Sequence, residues 1–166
     1  INFICSHYCE AIPPPIEAGE FLLRKVKNFN MQENTRSENL SPVDPQDAKA
    51  LNQACMEELA NCKALDIVSV NVGQNSSVTD YMIICTGTSG RHVSAIADRL
   101  HRDLSKRGIH GMRISGEREG IWAVVDAGSV IAHILQSEAR DRYRLEDLFR
   151  CVAAGTDPRE LAENDL

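Results

Sequence analysis

Between Gly120 and Leu135 the chain reads Gly-Ile-Trp-Ala-Val-Val-Asp-Ala-Gly-Ser-Val-Ile-Ala-His-Ile-Leu, two apolar and largely β-branched runs parted by a short polar break at Asp126-Ala-Gly-Ser129. No other stretch restricts the fold as tightly. β-Branched and aromatic residues favour strands, and Asp, Gly and Ser between two such runs supply turn chemistry, so a β-hairpin is predicted here. Side chains alternate across a strand, so if Trp122, Val124 and Asp126 project to one side, Ile121, Ala123 and Val125 project to the other. Both faces are then largely apolar. Two arrangements satisfy that pattern: a sheet covered on both sides by the protein's own elements, or a sheet with one face, carrying the single tryptophan, left for a protein partner.

What surrounds the hairpin is bounded by size and charge. A chain of 166 residues has room for one ordinary core with tails. Its net charge of -6 argues against nucleic-acid binding achieved mainly by coating phosphates with Lys and Arg. An acidic domain can still dock on a basic protein partner. The apolar runs fall far short of the roughly 20 residues that span a bilayer, so no membrane association is expected. The N-terminal residues lack the basic, apolar, small-residue order of a secretory signal. Six cysteines at positions 5, 9, 55, 62, 85 and 151 show no disulfide rhythm, and several fall where a small hydrophobe would, which points to a reducing cytoplasm.

Residues 1–44 are expected to form a flexible extension. Residues 1–30 include Pro13-Pro-Pro15 and show no sustained period, and Met31 is a candidate native start. Cys5-Ser-His7-Tyr-Cys9 offers three metal-type ligands in one loop without the second pair that finger spacing requires, so free thiols are the expectation. Order is predicted from Asp44-Pro45, with Asp44 as N-cap and Pro45 at the first helical position. Leu51, Cys55, Leu59 and Cys62 then trace one face of a helix over residues 45–62. Two strands follow, over residues 64–72 and 81–85, expected to pair antiparallel. Thr86-Gly-Thr-Ser-Gly90 leads into a second amphipathic helix with Val93, Ile96, Ala97, Leu100 and Leu104 inward and Gly108 ending it at the C′ position. Met112-Arg-Ile-Ser115 is a short third strand, and the hairpin supplies two more. Ser137 is expected to cap a short helix through Arg142, with Leu145, Leu148 and Phe149 forming a further apolar face, and residues 151–166 are expected to be a flexible acidic tail.

A strand, a Gly-Ser loop and a helix can cradle phosphate, but residues 87–90 lack a P-loop lysine and are not a G-x-G-x-x-G fingerprint. Small residues that let the chain turn sharply off a sheet explain the loop equally well. Arg91, Arg99, Arg102, Lys106 and Arg107, against Asp98 and Asp103, form a basic helix face suited to an accessory nucleic-acid contact or simply to solvent. Asp126 and His133 lie on paired strands where they could approach each other. For His133 the plainer expectation is an imidazole satisfied by hydrogen bonds at a sheet edge. Asp80 and Asp126 do not make the closely spaced pair that two-metal phosphoryl transfer needs, and Ser89 lacks a nucleophile elbow. No cofactor, metal or catalytic set is expected.

The run Gly-x-Trp-x-x-x-Asp-x-Gly-x-Val-x-x-His, followed by Ala139-Arg140, Tyr143 and Leu145-Glu146-x-Leu148, resembles the signature of the ribosomal silencing factor family, also called Iojap. The likeness extends from about Lys63 to Phe149, through Asp66-Ile-Val, Thr79-Asp-Tyr-Met, Cys85-x-Gly-Thr-Ser89, Arg91 to Asp98 and Gly116-Glu. It departs at the turn, where the family usually has Asp-Tyr-Gly-Asp and this chain has Asp126-Ala-Gly-Ser129. It departs again where Phe-Tyr and Leu-Trp become Arg142-Tyr143 and Leu148-Phe149. The resemblance implies a non-enzymatic α/β domain over residues 45–150, a mixed sheet of about five strands with packed helices, like the nucleotidyltransferase fold without its catalytic carboxylates. It also implies binding of the large ribosomal subunit through large-subunit ribosomal protein fourteen, a block on joining of the small subunit when nutrients are short, and a homodimer when free. The expected partner-binding residues are Trp122, Val124, Asp126, Gly128, Ser129, Ile131, His133 and Tyr143. A large-subunit assembly factor, or a nucleotidyltransferase-like enzyme using residues 87–90, are the alternatives.

Overall fold

A computed structural model describes residues 41–156. The expectations for residues 1–40, including the Cys5-Ser-His7-Tyr-Cys9 cluster and Met31, and for the acidic end from Asp157 lie outside the described residues.

The first helix, α1, spans Ala48–Asn61. Its N-cap is Asp47, whose carboxylate accepts from the Ala50 amide at 2.9 Å. Asp44, three residues too early, instead accepts from the Gln46 amide and shapes the turn through Pro45 that leads into the helix. Leu51, Ala54, Cys55 and Leu59 are its buried stripe. The helix closes without glycine: Lys63 takes φ +59°, and the amides of Lys63 and Ala64 return to the carbonyls of Ala60 and Leu59, the paired pattern that satisfies the last carbonyls of a helix.

Strands β1 (Leu65–Asn71) and β2 (Tyr81–Thr86) pair antiparallel, with a bulge between Leu65 and Val68 where Asp66 adopts φ +48°. Helix α2 (Gly90–Lys106) follows, capped by Ser89, and Val93, Ile96, Ala97, Leu100 and Leu104 are all buried. Gly108, at φ +94°, ends it as its C′ residue, and the Ile109 amide reaches back to Leu104. Then come β3 (Arg113–Ser115) and the predicted hairpin, β4 (Trp122–Asp126) and β5 (Val130–Leu135).

The five strands form one sheet in the order β1-β2-β5-β4-β3. β5 pairs parallel with β2 and antiparallel with β4, so the sheet is mixed and the second hairpin strand is its central one. On one face Ile83, Cys85, Ala123, Val125, Val130, Ala132 and Ile134 pack under α1 and α2. On the other, Val72, Ile84 and Leu135 pack against two further helices, α3 (Ser137–Tyr143) and α4 (Leu145–Ala154).

The last two helices meet without a spacer because Arg144 adopts a left-handed conformation, φ +44° and ψ +48°, at their junction. Ser137 does not cap α3. Gln136 holds the N-cap position with no side-chain cap bond, because its amide instead donates to the Gly120 carbonyl at 2.8 Å. α4 runs four residues past Arg150, into the span read from the sequence as tail, since Val152 and Ala153 continue the apolar face begun by Leu145, Leu148 and Phe149. Among the described residues no helix is long and apolar enough to cross a membrane.

Candidate functional site: the open face of the hairpin

Register decides what the hairpin presents. Trp122, Val124 and Asp126 stand opposite Leu135, His133 and Ile131, and β2 brings Met82 opposite Ile131 and Ile84 opposite His133. On the far side of β4, Arg113 and Ser115 of β3 pair with Asp126 and Val124. These residues share the face that α3 and α4 cover only in part. Phe149 of α4 lies over His133, with ring centroids 5.3 Å apart, and Tyr143 of α3 lies against Trp122 at 5.0 Å. Beyond these two rings Met82, Val124 and Ile131 are half-buried, while Arg113 and Ser115 are exposed. The result is an aliphatic surface rimmed by Arg113 and Asp126, with Trp122 and Tyr143 at its aromatic end.

Both arrangements left open by the sequence are thus partly realised: the Ala123 and Val125 face is fully closed, and the Trp122 face is closed at one end only. Ile121, which alternation placed with Ala123 and Val125, precedes β4 and is 51% exposed.

Of the expected contact residues, Trp122, Val124, Asp126, Ile131 and Tyr143 are accessible in part. Gly128 is exposed at the turn, with φ +84°. Ser129 is half-buried, and its carbonyl accepts from the amides of both Asp80 and Tyr81 at 3.1 Å, which pins the hairpin turn to the start of β2. His133 is different: it is 9% exposed and stands on the central strand, not at an edge. Its Nδ1 accepts from the Trp122 indole N–H at 3.2 Å, and its Nε2 is buried with no hydrogen-bond partner. Burial lowers its pKa to about 4, so the ring is neutral at physiological pH. Of the expected contact residues it is the most buried. Met82 was missed by sequence reasoning, since no local signal reveals that β2 runs parallel beside β5.

A clamp holds the aromatic end in place. Arg140 of α3 donates to Glu146 of α4 through Nε at 2.6 Å and to the Thr86 hydroxyl at the end of β2 at 2.7 Å. One side chain thereby ties both covering helices to the sheet, three residues from Tyr143.

The reaction chemistry weighed from the sequence does not assemble. Asp126 stands opposite Ile131, not His133, and its Oδ1 accepts from the Gly128 amide within the turn. In the Gly-Ser loop the Gly87 amide is taken by Leu135 and the Thr88 amide by His92 Nδ1, while Ser89 Oγ caps α2. A Cβ on Gly87 would lie 2.7 Å from a Val93 methyl, so this glycine is explained by close packing of loop on helix. Burial pushes the thiols of Cys55 and Cys85 up to about 12, where neither is a nucleophile at neutral pH. Among the described residues no three His, Cys, Asp or Glu side chains converge as metal ligands.

The fold and this site together define a small mixed α/β domain with a half-open apolar surface on one face of its sheet. The chain belongs to the ribosomal silencing factor family: the family described as ribosomal silencing factor during starvation matches residues 45–165. A ribosomal silencing factor from Haemophilus influenzae is 47% identical over 100 residues, covering 60% of this chain and 98% of that protein. A mouse protein named mitochondrial assembly of ribosomal large subunit protein 1 is 32% identical over 111 residues, 65% of this chain and 49% of its own length. The crystal structure of a Chromobacterium violaceum protein, 29% identical, superposes with a TM-score of 0.60 over 66% of this chain and 88% of that one. The family's description is thus one of ribosome silencing.

Proposed function

We propose that this protein silences translation by binding the large ribosomal subunit through large-subunit ribosomal protein fourteen, so that the small subunit cannot join when nutrients are short. The observation that carries this reading is the half-open aliphatic surface around Trp122, on a domain of a family described by ribosome silencing. An apolar centre supplies the affinity of such an interface, and the net negative charge of the chain steers it toward a basic ribosomal protein. Trp122, Val124, Asp126, Gly128, Ser129, Ile131 and Tyr143 are the contact residues, with Met82 added by the sheet register. The exposed Arg91, Arg99 and Arg102 of α2 offer an accessory contact to ribosomal RNA. We place the protein in the cytoplasm, as a homodimer when free of ribosomes.

Sedimentation with separated subunits tests the proposal: recovery with the large subunit and not the small one is expected, together with loss of subunit joining. Equal recovery with both subunits would refute it. The name of the mouse relative favours a second reading, assembly of the large subunit. Depletion that accumulates immature large subunits, with joining of mature subunits unaffected by added protein, would select that reading.

A further inference from the structure

His133 presents an energetic puzzle. An imidazole N–H buried without a partner is destabilising, and Nε2 is in that condition. An aliphatic side chain of similar size would fill the same space beneath Phe149 without the cost. What an aliphatic side chain cannot supply is the acceptor at Nδ1, on which the Trp122 indole N–H ends. With Nδ1 accepting, the ring's single proton resides on Nε2, which accounts for the unpartnered atom. The histidine therefore spends an unpaired donor inward to present an acceptor outward, to the largest side chain of the half-open surface.

Trp122 has need of such a constraint. One side of its ring system meets Tyr143 at 5.0 Å with the planes tilted by 42°, and another meets His133 at 5.8 Å and 48°. Tilted ring contacts of this kind tolerate rotation about the side-chain torsions, whereas a hydrogen bond from the indole nitrogen selects one orientation. An aromatic anchor held in its bound orientation before association loses less freedom when it binds.

We propose that His133 is a positioning residue of the docking surface, holding the Trp122 indole through Nδ1 in the orientation that meets the ribosomal protein. This rests on the docking role proposed above, although the hold on the indole is a property of the free protein.

The single tryptophan makes the test direct, because all indole fluorescence reports on Trp122. His133→Leu removes the acceptor, and His133→Asn keeps one, with its amide oxygen close to where Nδ1 lies. In the free protein, His133→Leu is expected to shift the emission maximum and raise acrylamide quenching about twofold, while His133→Asn stays near the parent. Binding to large subunits should follow the same order, about tenfold weaker for His133→Leu and within threefold of the parent for His133→Asn. Thermal melts of both variants should remain cooperative. Should Leu prevent folding, His133→Phe keeps a ring against Phe149 and lacks the acceptor, and is expected to behave as described for Leu.

Unchanged emission, quenching and binding in a folded His133→Leu or His133→Phe protein would overturn the proposal. Equal losses in the Asn and Leu variants would also overturn it, since shape and not the acceptor would then matter. If the parent itself does not bind large subunits, the docking role falls, and the fluorescence of the free variants still decides whether His133 sets the indole.

Discussion

Trp122 is half-buried, so its truncation acts on two quantities at once. As an interface anchor it should contribute about 2–4 kcal/mol to binding. As a partner of Tyr143 and His133 it also contributes to the fold, but a side chain that still meets solvent loses less than the 3–5 kcal/mol typical of a core aromatic. Trp122→Ala is therefore expected to lower the melting temperature by several degrees, keep a cooperative transition, and weaken large-subunit binding by more than tenfold. A collapsed melt would return Trp122 to a purely structural role. His133 carries a second residue-scale prediction, on pH. Its pKa falls from 6.5 in the unfolded chain to about 4 in the fold, because burial penalises the charged ring. Between those values the unfolded chain binds the extra proton, so stability is lost as pH drops through this window. The loss is absent above pH 6.5 and grows to about 3 kcal/mol near pH 4. Denaturant titrations from pH 7 to 4.5 should show the parent losing more stability than His133→Leu. Parallel curves for the two proteins would contradict a buried neutral imidazole.

At the scale of elements, the hairpin depends on how the chain enters and leaves it. Gly120 holds φ +65°, and a Cβ there would lie 2.6 Å from the Gly90 carbonyl oxygen, where α2 begins. Gln136, just after β5, donates to the carbonyl of the same Gly120. Entry to β4, exit from β5 and the N-terminus of α2 therefore converge on one residue without a side chain. Gly128, at the other end of the hairpin, also has positive φ, but nothing lies within 4 Å of its added Cβ. The two glycines separate backbone strain from steric exclusion. Gly128→Ala should cost about 1–2 kcal/mol, the strain of a left-handed residue alone, whereas Gly120→Ala should cost clearly more, because backbone must also move. Denaturant midpoints of the two variants check this, and equal costs would mean that the Gly90 contact yields freely.

At the scale of the whole molecule, the silencer reading predicts binding without turnover. Asp80 is exposed and Asp126 is engaged in its own turn, and the Gly-Ser loop has committed two of its amides internally. Calorimetric titration with nucleoside triphosphates and magnesium should give no binding heat, and Asp80→Ala and Asp126→Ala should leave no transfer activity to lose. Metal-dependent transfer by the parent, abolished by either substitution, would overturn the silencer reading. Arg102→Ala on α2 should change large-subunit binding little, and any loss should shrink as salt rises if that face meets RNA.

Much of this architecture was legible because the signals are local. Alternating β-branched runs around Asp126-Ala-Gly-Ser129 specify the hairpin, the three-to-four spacing of Val93, Ile96, Ala97, Leu100 and Leu104 specifies α2, and Gly108 marks its end, since each depends only on near neighbours along the chain. The motif around Trp122 likewise identified the family. What local signals do not contain is which strands meet. The parallel pairing of β2 with β5 placed His133 on the central strand instead of an edge and brought Met82 beside Ile131, while the register of the hairpin itself set Asp126 opposite Ile131 and not the imidazole. Whether one face of an apolar strand is closed or open likewise depends on where later helices settle: Arg140 ties α3 and α4 to the C-terminal end of β2, and Val124 and Ile131 stay half-buried. The sequence by itself determined the elements and the family. Only the tertiary structure decided which face is open and which buried atom holds Trp122, because those depend on contacts between residues far apart in the chain.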